Sequence, residues 1–384
     1  MKKMRMLLIV VFTIHLLTGC WDRLEVNDIA IITAIGLDLI KDDQIRLSLQ
    51  VAIPSKLGPT GGSGGGSSNN STYIISETGN TVSEAYRNLQ MKTSRRIFFA
   101  QSRVLLIGED LARKGVANII DFHSRYHEPR INSFIMFTKG EATEVLKEIP
   151  KLESVSAEET KELVKLSVGL SIFVNDFLNM LLTDGMEPFA PEFALTSLEG
   201  DEKNDSGKGQ VLNGTAVFKG DKLVGWIDKA KTRGILWLRN EMEKGVITIE
   251  IPKEEGDGYI SIDITKAEVK IIPNMEHDKI AITVNVISDM TVMENDSKLK
   301  LDDPKVIESL QKDVESDIKE RIQMVIDIAQ KDFQSDIFGF GQAVYKKYPK
   351  EWNLKYKQNW EQEFSQVEVA IQPKVFIRSI GLIK

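Results

Sequence analysis

Ile29-Ala30-Ile31-Ile32-Thr33-Ala34-Ile35-Gly36-Leu37-Asp38-Leu39-Ile40 is the stretch on which the fold turns. It is rich in β-branched residues, and its polar interruptions are only Thr33 and Asp38, the pattern of a buried strand. Lys41-Asp42-Asp43 follows as a turn. Ile45, Leu47, Leu49, Val51 and Ile53 then alternate with other residues up to Pro54. A period of two predicts a half-buried strand, so the two runs pair as a hairpin.

Downstream, residues 55–71 contain Gly61-Gly62-Ser63-Gly64-Gly65-Gly66-Ser67-Ser68. This run lacks the Lys-Ser/Thr of a phosphate-binding loop and opens no helix, so it reads as a mobile surface loop. Thr72 to Ser76 reads as a strand. Thr81 with Glu84 forms a capping box for a helix that buries Val82, Ala85 and Leu89. Strands follow at Ile97 to Ala100 and at Arg103 to Gly108. A helix runs from Glu109 to about Tyr126 with a break at Gly115, then a strand at Ile131 to Thr138. Gly140 leads into a short helix that ends before Pro150. Ser156 with Glu159 opens another helix, which buries Leu163, Leu166, Leu170, Phe173, Phe177 and Leu181. Strands alternating with helices predict a layered α/β or α+β region.

Pro188, Pro191 and the polar run from Glu199 to Gln210 mark a linker. Gly214 to Phe218 and Leu223 to Ile227 pair across Lys219-Gly220-Asp221-Lys222, and a short helix follows Asp228. From Val246 to Met293 the chain reads as four strands, with turns at Glu255 to Gly258 and at Pro273-Asn274. Asp303 as N-cap and Pro304 at the first helical position start the longest helix, whose stripe of Ile307, Leu310, Val314, Ile318, Ile322, Val325, Ile326 and Ala329 faces a sheet. Tyr345, Tyr348, Trp352, Tyr356 and Trp360 share one side of a helix and read as a packing stripe. Two strands, Gln366 to Ile371 and Lys374 to Ile380, close the chain.

Upstream, Lys2, Lys3 and Arg5 precede an apolar run from Met6 to Leu17, then Thr18-Gly19-Cys20. A basic start and a short apolar run describe a secretory signal peptide, and the run is too short to span a bilayer, which takes about 20 residues. Leu-x-Gly-Cys resembles the lipobox of bacterial lipoproteins, and Cys20 is the single cysteine of the 384 residues. In such signals the thiol carries diacylglycerol, the chain is cut before the cysteine and the new amine is acylated. Cys20 is therefore the expected lipidation site, and acyl chains at that residue give firm anchoring. The whole chain carries a net charge of −7, and the basic signal leaves the remainder more acidic still. That acidity argues against nucleic acid, whose phosphates demand a basic face.

A search for chemistry returns little. His123 and His127 have the i, i+4 spacing of a zinc pair, but Ser124-Arg125-Tyr126 between them lacks the metalloprotease glutamate, so no metal site is expected. His277 falls in a turn. No spacing singles out a carboxylate pair. Arg95, Arg96, Arg103, Arg125 and Arg130 cluster, and pairing with Glu109, Asp110 and Glu128 is the expected use. No cofactor site, no metal and no enzyme activity are expected.

Cys20-Trp21-Asp22-Arg23-Leu24-Glu25-Val26-Asn27-Asp28 with Gly36-Leu37-Asp38 closely resembles the start of the Ger(x)C lipoproteins, the C subunits of spore nutrient-germinant receptors. Thr81 to Ala85 with Ser94 to Phe99, Asn213 to Gly225, and Asp336-Ile337-Phe338-Gly339-Phe340-Gly341 with Tyr348-Pro349 and Trp352 extend the likeness along the mature chain. Gln101 stands where many members would have a histidine. The resemblance implies a non-enzymatic receptor subunit, lipid-anchored at the outer face of the spore inner membrane. Two integral membrane subunits, A and B, are its implied partners, with the nutrient germinant bound by one of them. A solute-binding lipoprotein of a transporter is the alternative.

The expected architecture is α+β, mixed α/β and multi-domain, with β-sheets packed with helices. Residues 1–19 form the signal and 20–195 an N-terminal α/β region divisible into two subdomains. Residues 196–210 form a linker, and 211–384 a β-rich domain with the long amphipathic helix at 303–333.

Overall fold

The computed structural model describes residues 4–6, 25–54, 71–126, 128–148, 169–197, 208–242, 244–277 and 279–381. Cys20, the Gly/Ser run at 61–68, His127, and Ser156 with Glu159 lie outside the described residues.

The hairpin forms as expected. β1 (Ile29–Leu39) and β2 (Ile45–Ala52) pair antiparallel with Leu37 opposite Leu47. Asp42 and Asp43 make the turn at positive φ of 60° and 62°, a region that Asp tolerates better than most residues. β3 (Thr72–Gly79) adds to β2. Thr81 caps α1 (Val82–Lys92), its hydroxyl accepting the Glu84 N–H at 3.1 Å, while the Glu84 carboxylate takes the N–H of Asn80. β4 (Arg96–Phe98) and β5 (Val104–Gly108) both lie parallel to β1, one along its first half and the other along its second. α2 (Glu109–Lys114) and α3 (Ala117–Arg125) are separated at Gly115, whose φ of 134° interrupts the helix.

β6 (Phe134–Thr138), α4 (Ala142–Lys147) and α5 (Val174–Leu182) follow. Of the helix expected from Ser156 onward, residues 156–168 lie outside the described residues, 169–173 are not helical, and α5 covers Val174–Leu182. It starts at Val174, where the Asp176 carboxylate accepts the Phe173 N–H, and Phe173 bridges back to Phe134 in the sheet. β7 (Phe189–Ser197), β8 (Lys208–Lys219) and β9 (Lys222–Asp228) then extend the sheet to the order β3-β2-β1-β5-β6-β7-β8-β9, with β4 beside β1. Segment 196–210, expected as a linker, therefore joins neighbouring antiparallel strands of one sheet, and Pro191 lies within a strand.

Both faces of this sheet are covered. Leu105, Ile107, Ile135 and Phe137 point into the main core, while Val104, Leu106 and Met136 pack with Ala142, Val145 and Leu146 of α4 on the other side. β2 is accordingly buried on both faces from Leu47 onward, contrary to the half-buried expectation. Its polar positions are taken up by α4: Ser48 Oγ lies 2.7 Å from Thr143 Oγ1, and Gln50 Nε2 donates to the Leu146 carbonyl at 3.2 Å.

α6 (Lys229–Leu238) leads to the second sheet, of β10 (Val246–Ile251), β11 (Gly258–Glu276), β12 (Lys279–Asn295) and β13 (Glu368–Ser379) in that order. Two corrections follow. Pro273-Asn274 is no turn but part of β11, which runs unbroken past a bulge near Thr265, and the reversal comes at His277, at φ 47°. The two closing strands are one, running through Pro373. Both prolines sit where a missing N–H does no harm: β10 pairs only with residues 258–263 of β11, and β13 is an edge strand.

Between β12 and β13 come α7 (Pro304–Asp327), a π-helical turn (Ile328–Phe333), α8 (Phe340–Lys347) and α9 (Trp360–Phe364). The Asp303 carboxylate caps α7 by accepting the Lys305 N–H at 2.9 Å. Leu310, Val314, Ile318, Ile322, Val325 and Ile326 are fully buried, each worth roughly 1.5–3 kcal/mol relative to exposure. Gly234 lets α6 approach α7 closely: a Cβ there would lie 2.6 Å from the Arg321 carbonyl oxygen. One continuous core runs from the large sheet through α6 and α7 into the small one, giving a mixed α+β fold of two sheets packed with helices.

Candidate functional site: the seam between the two sheets

The segment after α7 is drawn back onto the large sheet. Gln334 leaves the π-helical turn in the left-handed region, at φ 50°. Ser335 Oγ then donates to the Phe218 carbonyl of β8 at 2.6 Å, and the Phe333 ring lies on Gly225 of β9, where a Cβ would fall 2.3 Å from it. The Asp336 carbonyl accepts the Glu187 N–H at 2.9 Å, and the Gln342 N–H donates to Gly185 at 3.0 Å. From the same segment Lys347 Nζ reaches the Pro273 carbonyl of β11 at 2.7 Å. Residues 333–347 thus touch both sheets.

Asp336 is the clasp of this seam. Its Oδ1 accepts the N–H groups of Gly339 at 2.9 Å and Phe340 at 3.1 Å, and its Oδ2 those of Gly341 at 2.8 Å and Trp360 Nε1 at 2.9 Å. Complete burial raises its carboxyl to about 6 against the pull of these four donors. Burial likewise raises Glu187, with Asp336 adding a like charge and the Gly220 N–H opposing the rise. Both oxygens of Asp336 are filled twice, so the carboxylate orders a turn and has no lone pair to spare for a substrate. The motif needs its glycines. Gly339 has φ 76° and Gly185 φ 75°, and a Cβ on Gly341 would lie 2.5 Å from Trp360 Nε1 and 2.7 Å from Gly185 Cα.

The expected aromatic stripe is divided among several short helical pieces. α8 ends at Lys347, Pro349 begins a single new turn, and Trp352–Tyr356 is π-helical. Trp352, Tyr356 and Trp360 are buried at the seam, with the two indoles 5.2 Å apart, whereas Tyr345 is 45% exposed. Tyr348 is half-buried against the same core, so packing accounts for four of the five residues.

The remaining candidates disperse. His123 is buried, its Nδ1 3.2 Å from the Ile119 carbonyl, and burial lowers its pKa to about 4. Among the described residues no group of three or more His, Cys, Asp or Glu could hold a metal. Of the acids expected to pair with the arginine cluster, Glu128 meets Arg96 at 2.8 Å, while Glu109 pairs with Arg113; Arg125 turns to Asp121. No described helix is long and apolar enough to cross a membrane.

A second clasp escapes sequence reasoning. Asp38, buried at the end of β1, accepts the Ala142 and Thr143 N–H groups at 2.6 and 3.0 Å and the Thr143 hydroxyl at 2.6 Å, so it caps a helix 104 residues away. Nothing local marks it. Asp336, by contrast, is followed by Gly339 and Gly341, a spacing that a search for turn-capping acids would have found.

Residues 22–195 match the family model described as spore germination protein N-terminal domain, and residues 213–381 the one described as spore germination B3/GerAC like, C-terminal. YfkR of Bacillus subtilis (strain 168) is 30% identical over 372 residues, covering 96% of this chain and 94% of that protein. Spore germination protein KC of the same strain is 28% identical over 399 residues, covering 99% and 97%. The crystal structure of the GerBC protein has a TM-score of 0.55 over 90% of this chain and 97% of that one at 20% identity, a likeness of fold. The chain belongs to the Ger(x)C family of spore germination proteins.

Proposed function

We propose that this chain is the lipid-anchored C subunit of a spore germinant receptor, held at the outer face of the spore inner membrane beside the A and B membrane subunits. It works there by contact and coupling, without catalysis. The observation that carries this reading is the family match over both halves of a chain that carries Leu16-Leu17-Thr18-Gly19-Cys20 behind a basic and apolar stretch.

Two features support the non-catalytic part. The buried carboxylates of Asp336 and Asp38 are spent on backbone N–H groups, and they order turns rather than await a substrate. The two sheets, of nine and four described strands, are also unlike each other, whereas a solute-binding lipoprotein would have two similar lobes around a cleft. An acyl anchor at Cys20 confines the body near membrane partners and raises its effective concentration without any new contact. In this reading the nutrient germinant is recognised by a partner subunit.

The test is fractionation of spore membranes with Cys20 intact and with Cys20→Ala. The intact protein is expected in the membrane fraction, co-purifying with two integral membrane subunits. The variant is expected in the soluble fraction, with nutrient-triggered germination lost or weakened. Unaltered membrane retention of Cys20→Ala would overturn the anchoring, and a purified complex without membrane subunits would overturn receptor membership.

A further inference from the structure

The stretch from Tyr345 to Lys357 carries Lys346, Lys347, Lys350, Lys355 and Lys357 against Glu351 alone, in a chain whose net charge is −7. All five lysines are exposed. Asp184 offsets one of them, meeting Lys357 at 2.5 Å, and Lys347 donates to the Pro273 carbonyl while keeping its charge. The same face holds apolar side chains in water. Leu354 is 89% exposed, more than any other large apolar side chain among the described residues, and Tyr345 is 45% exposed.

The backbone keeps Leu354 there. Trp352, Tyr356 and Trp360 recur every four residues and are buried, so Lys350 and Leu354, each two positions from Trp352, face away from the core. The turn from Trp352 to Tyr356 is π-helical, closed by the Lys357 N–H on the Trp352 carbonyl at 2.9 Å. Turns of this kind are rare and recur at functional sites.

A basic face tipped with leucine and tyrosine fits a surface that is anionic outside and apolar just beneath, the interface of a bilayer with acidic headgroups. The topology puts the face on the side where the anchor enters. β1, β5, β6 and β7 begin at one edge of the large sheet, and β8 ends there. Gly185 and Asp184, just ahead of β7, meet Trp352 and Lys357 at that edge. Ile29 opens β1 at the same edge, nine residues after Cys20, so a lipid on that cysteine attaches within about 30 Å of Ile29.

We infer that the Tyr345–Lys357 face docks on anionic lipid headgroups, its lysines meeting phosphates and Leu354 entering the apolar layer beneath them. The chain as a whole is acidic, so the same bilayer repels the rest of the body and the contact sets its orientation. This adds a protein-made contact to the anchored reading and does not rest on the acyl group, which would hold the chain on any lipid.

The test is hydrogen exchange of the full chain, purified from membranes and reconstituted in vesicles of phosphatidylcholine alone or mixed equally with phosphatidylglycerol. Flotation with the neutral vesicles reports the anchor by itself. The amides of 350–357 are expected to exchange about fivefold slower or more on the anionic vesicles, the factor that one lysine near such a surface supplies, while those of 29–39 keep one rate. High salt should abolish the difference. Lys350→Glu with Leu354→Gln, both at exposed positions, is expected to float as the parent does, to keep its melting temperature and to lose the slowing. Equal exchange on the two lipids, or a slowing that survives high salt or the double substitution, refutes the contact. A slowing that needs the membrane subunits also refutes it and makes the face a protein interface.

Discussion

Replacing His123 by Gln removes one buried imidazole and, with it, a defined part of how stability depends on pH. In the fold the ring is buried and its pKa falls to about 4; in the unfolded chain it returns to the ordinary value near 6.5. Above pH 6.5 both states are neutral and the group adds no pH dependence. As pH falls below that value the unfolded chain takes up a proton that the fold refuses, so stability declines until both states are charged below about 4. Worked through the linkage relation, the parent protein loses about 2 kcal/mol between about pH 7.5 and about pH 5 from this residue alone. Asp336 and Glu187 have raised values and act in the opposite sense, but both are present in parent and variant and cancel in the difference. The assay is urea unfolding of the body beginning at Trp21, at both pH values, for parent and His123→Gln. With a urea slope of about 3 kcal/mol/M, the parent midpoint should move down by about 0.7 M more than the variant's. The Gln side chain will lower stability at both pH values, and only the difference of differences tests the argument. Equal pH shifts in the two proteins would refute it and would mean that His123 takes its proton within the fold.

Gly341→Ala forces a Cβ to within 2.5 Å of the Trp360 indole and 2.7 Å of Gly185; it should cost about 3 kcal/mol and speed both proteolysis at 184–187 and hydrogen exchange of the 339–341 amides. An alanine variant as stable and as protected as the parent would show that the seam has slack. The outer edge of β13 is covered by α7, Glu315 accepting the Val375 N–H at 2.9 Å and Gln311 the Ile377 N–H at 3.0 Å. Gln311→Ala with Glu315→Ala should therefore cost about 1 kcal/mol per lost bond and open an edge that pairs with a second chain, seen as concentration-dependent association in sedimentation.

What could be read from the residues is what local chemistry decides. The β1–β2 hairpin, the helix break at Gly115 and the Asp303-Pro304 start of α7 each follow from neighbours a few positions apart. What could not be read depends on distant partners. The polar face of β2 alternates like a wet surface because Ser48 and Gln50 are matched by Thr143 and the Leu146 carbonyl, about a hundred residues on. Pro273 and Pro373 look like strand breakers until the sheet order shows that each lies on an unpaired side. The polar run at 196–210 has the composition of a linker, yet the strands on either side of it pair with each other. At the site the motif at 336–341 was visible as a family likeness, but its role as a clasp appeared only when four N–H groups were found on one carboxylate.

That clasp bears on how a coupling subunit could transmit a signal. Parting the 333–347 segment from the two sheets would release its four hydrogen bonds to Phe218, Glu187, Gly185 and Pro273 and expose the buried side chains of Phe338, Phe340, Trp352 and Trp360. Net hydrogen-bond energies near 1 kcal/mol and burial energies near 2 kcal/mol per side chain put this at about 12 kcal/mol. An opening of that size would be populated in about one molecule in several hundred million, since each 1.4 kcal/mol is a factor of ten. A partner would have to supply most of that energy to bend one sheet against the other. It is far less demanding to move the whole body against its neighbours, because contacts at a surface can be exchanged for water. In the proposed role the body would therefore move as one piece, with differential binding by partners acting on its orientation rather than on its internal angle. The Gly341→Ala variant is where this reasoning is most exposed. If loosening the seam leaves germination intact, rigidity is not what the coupling uses.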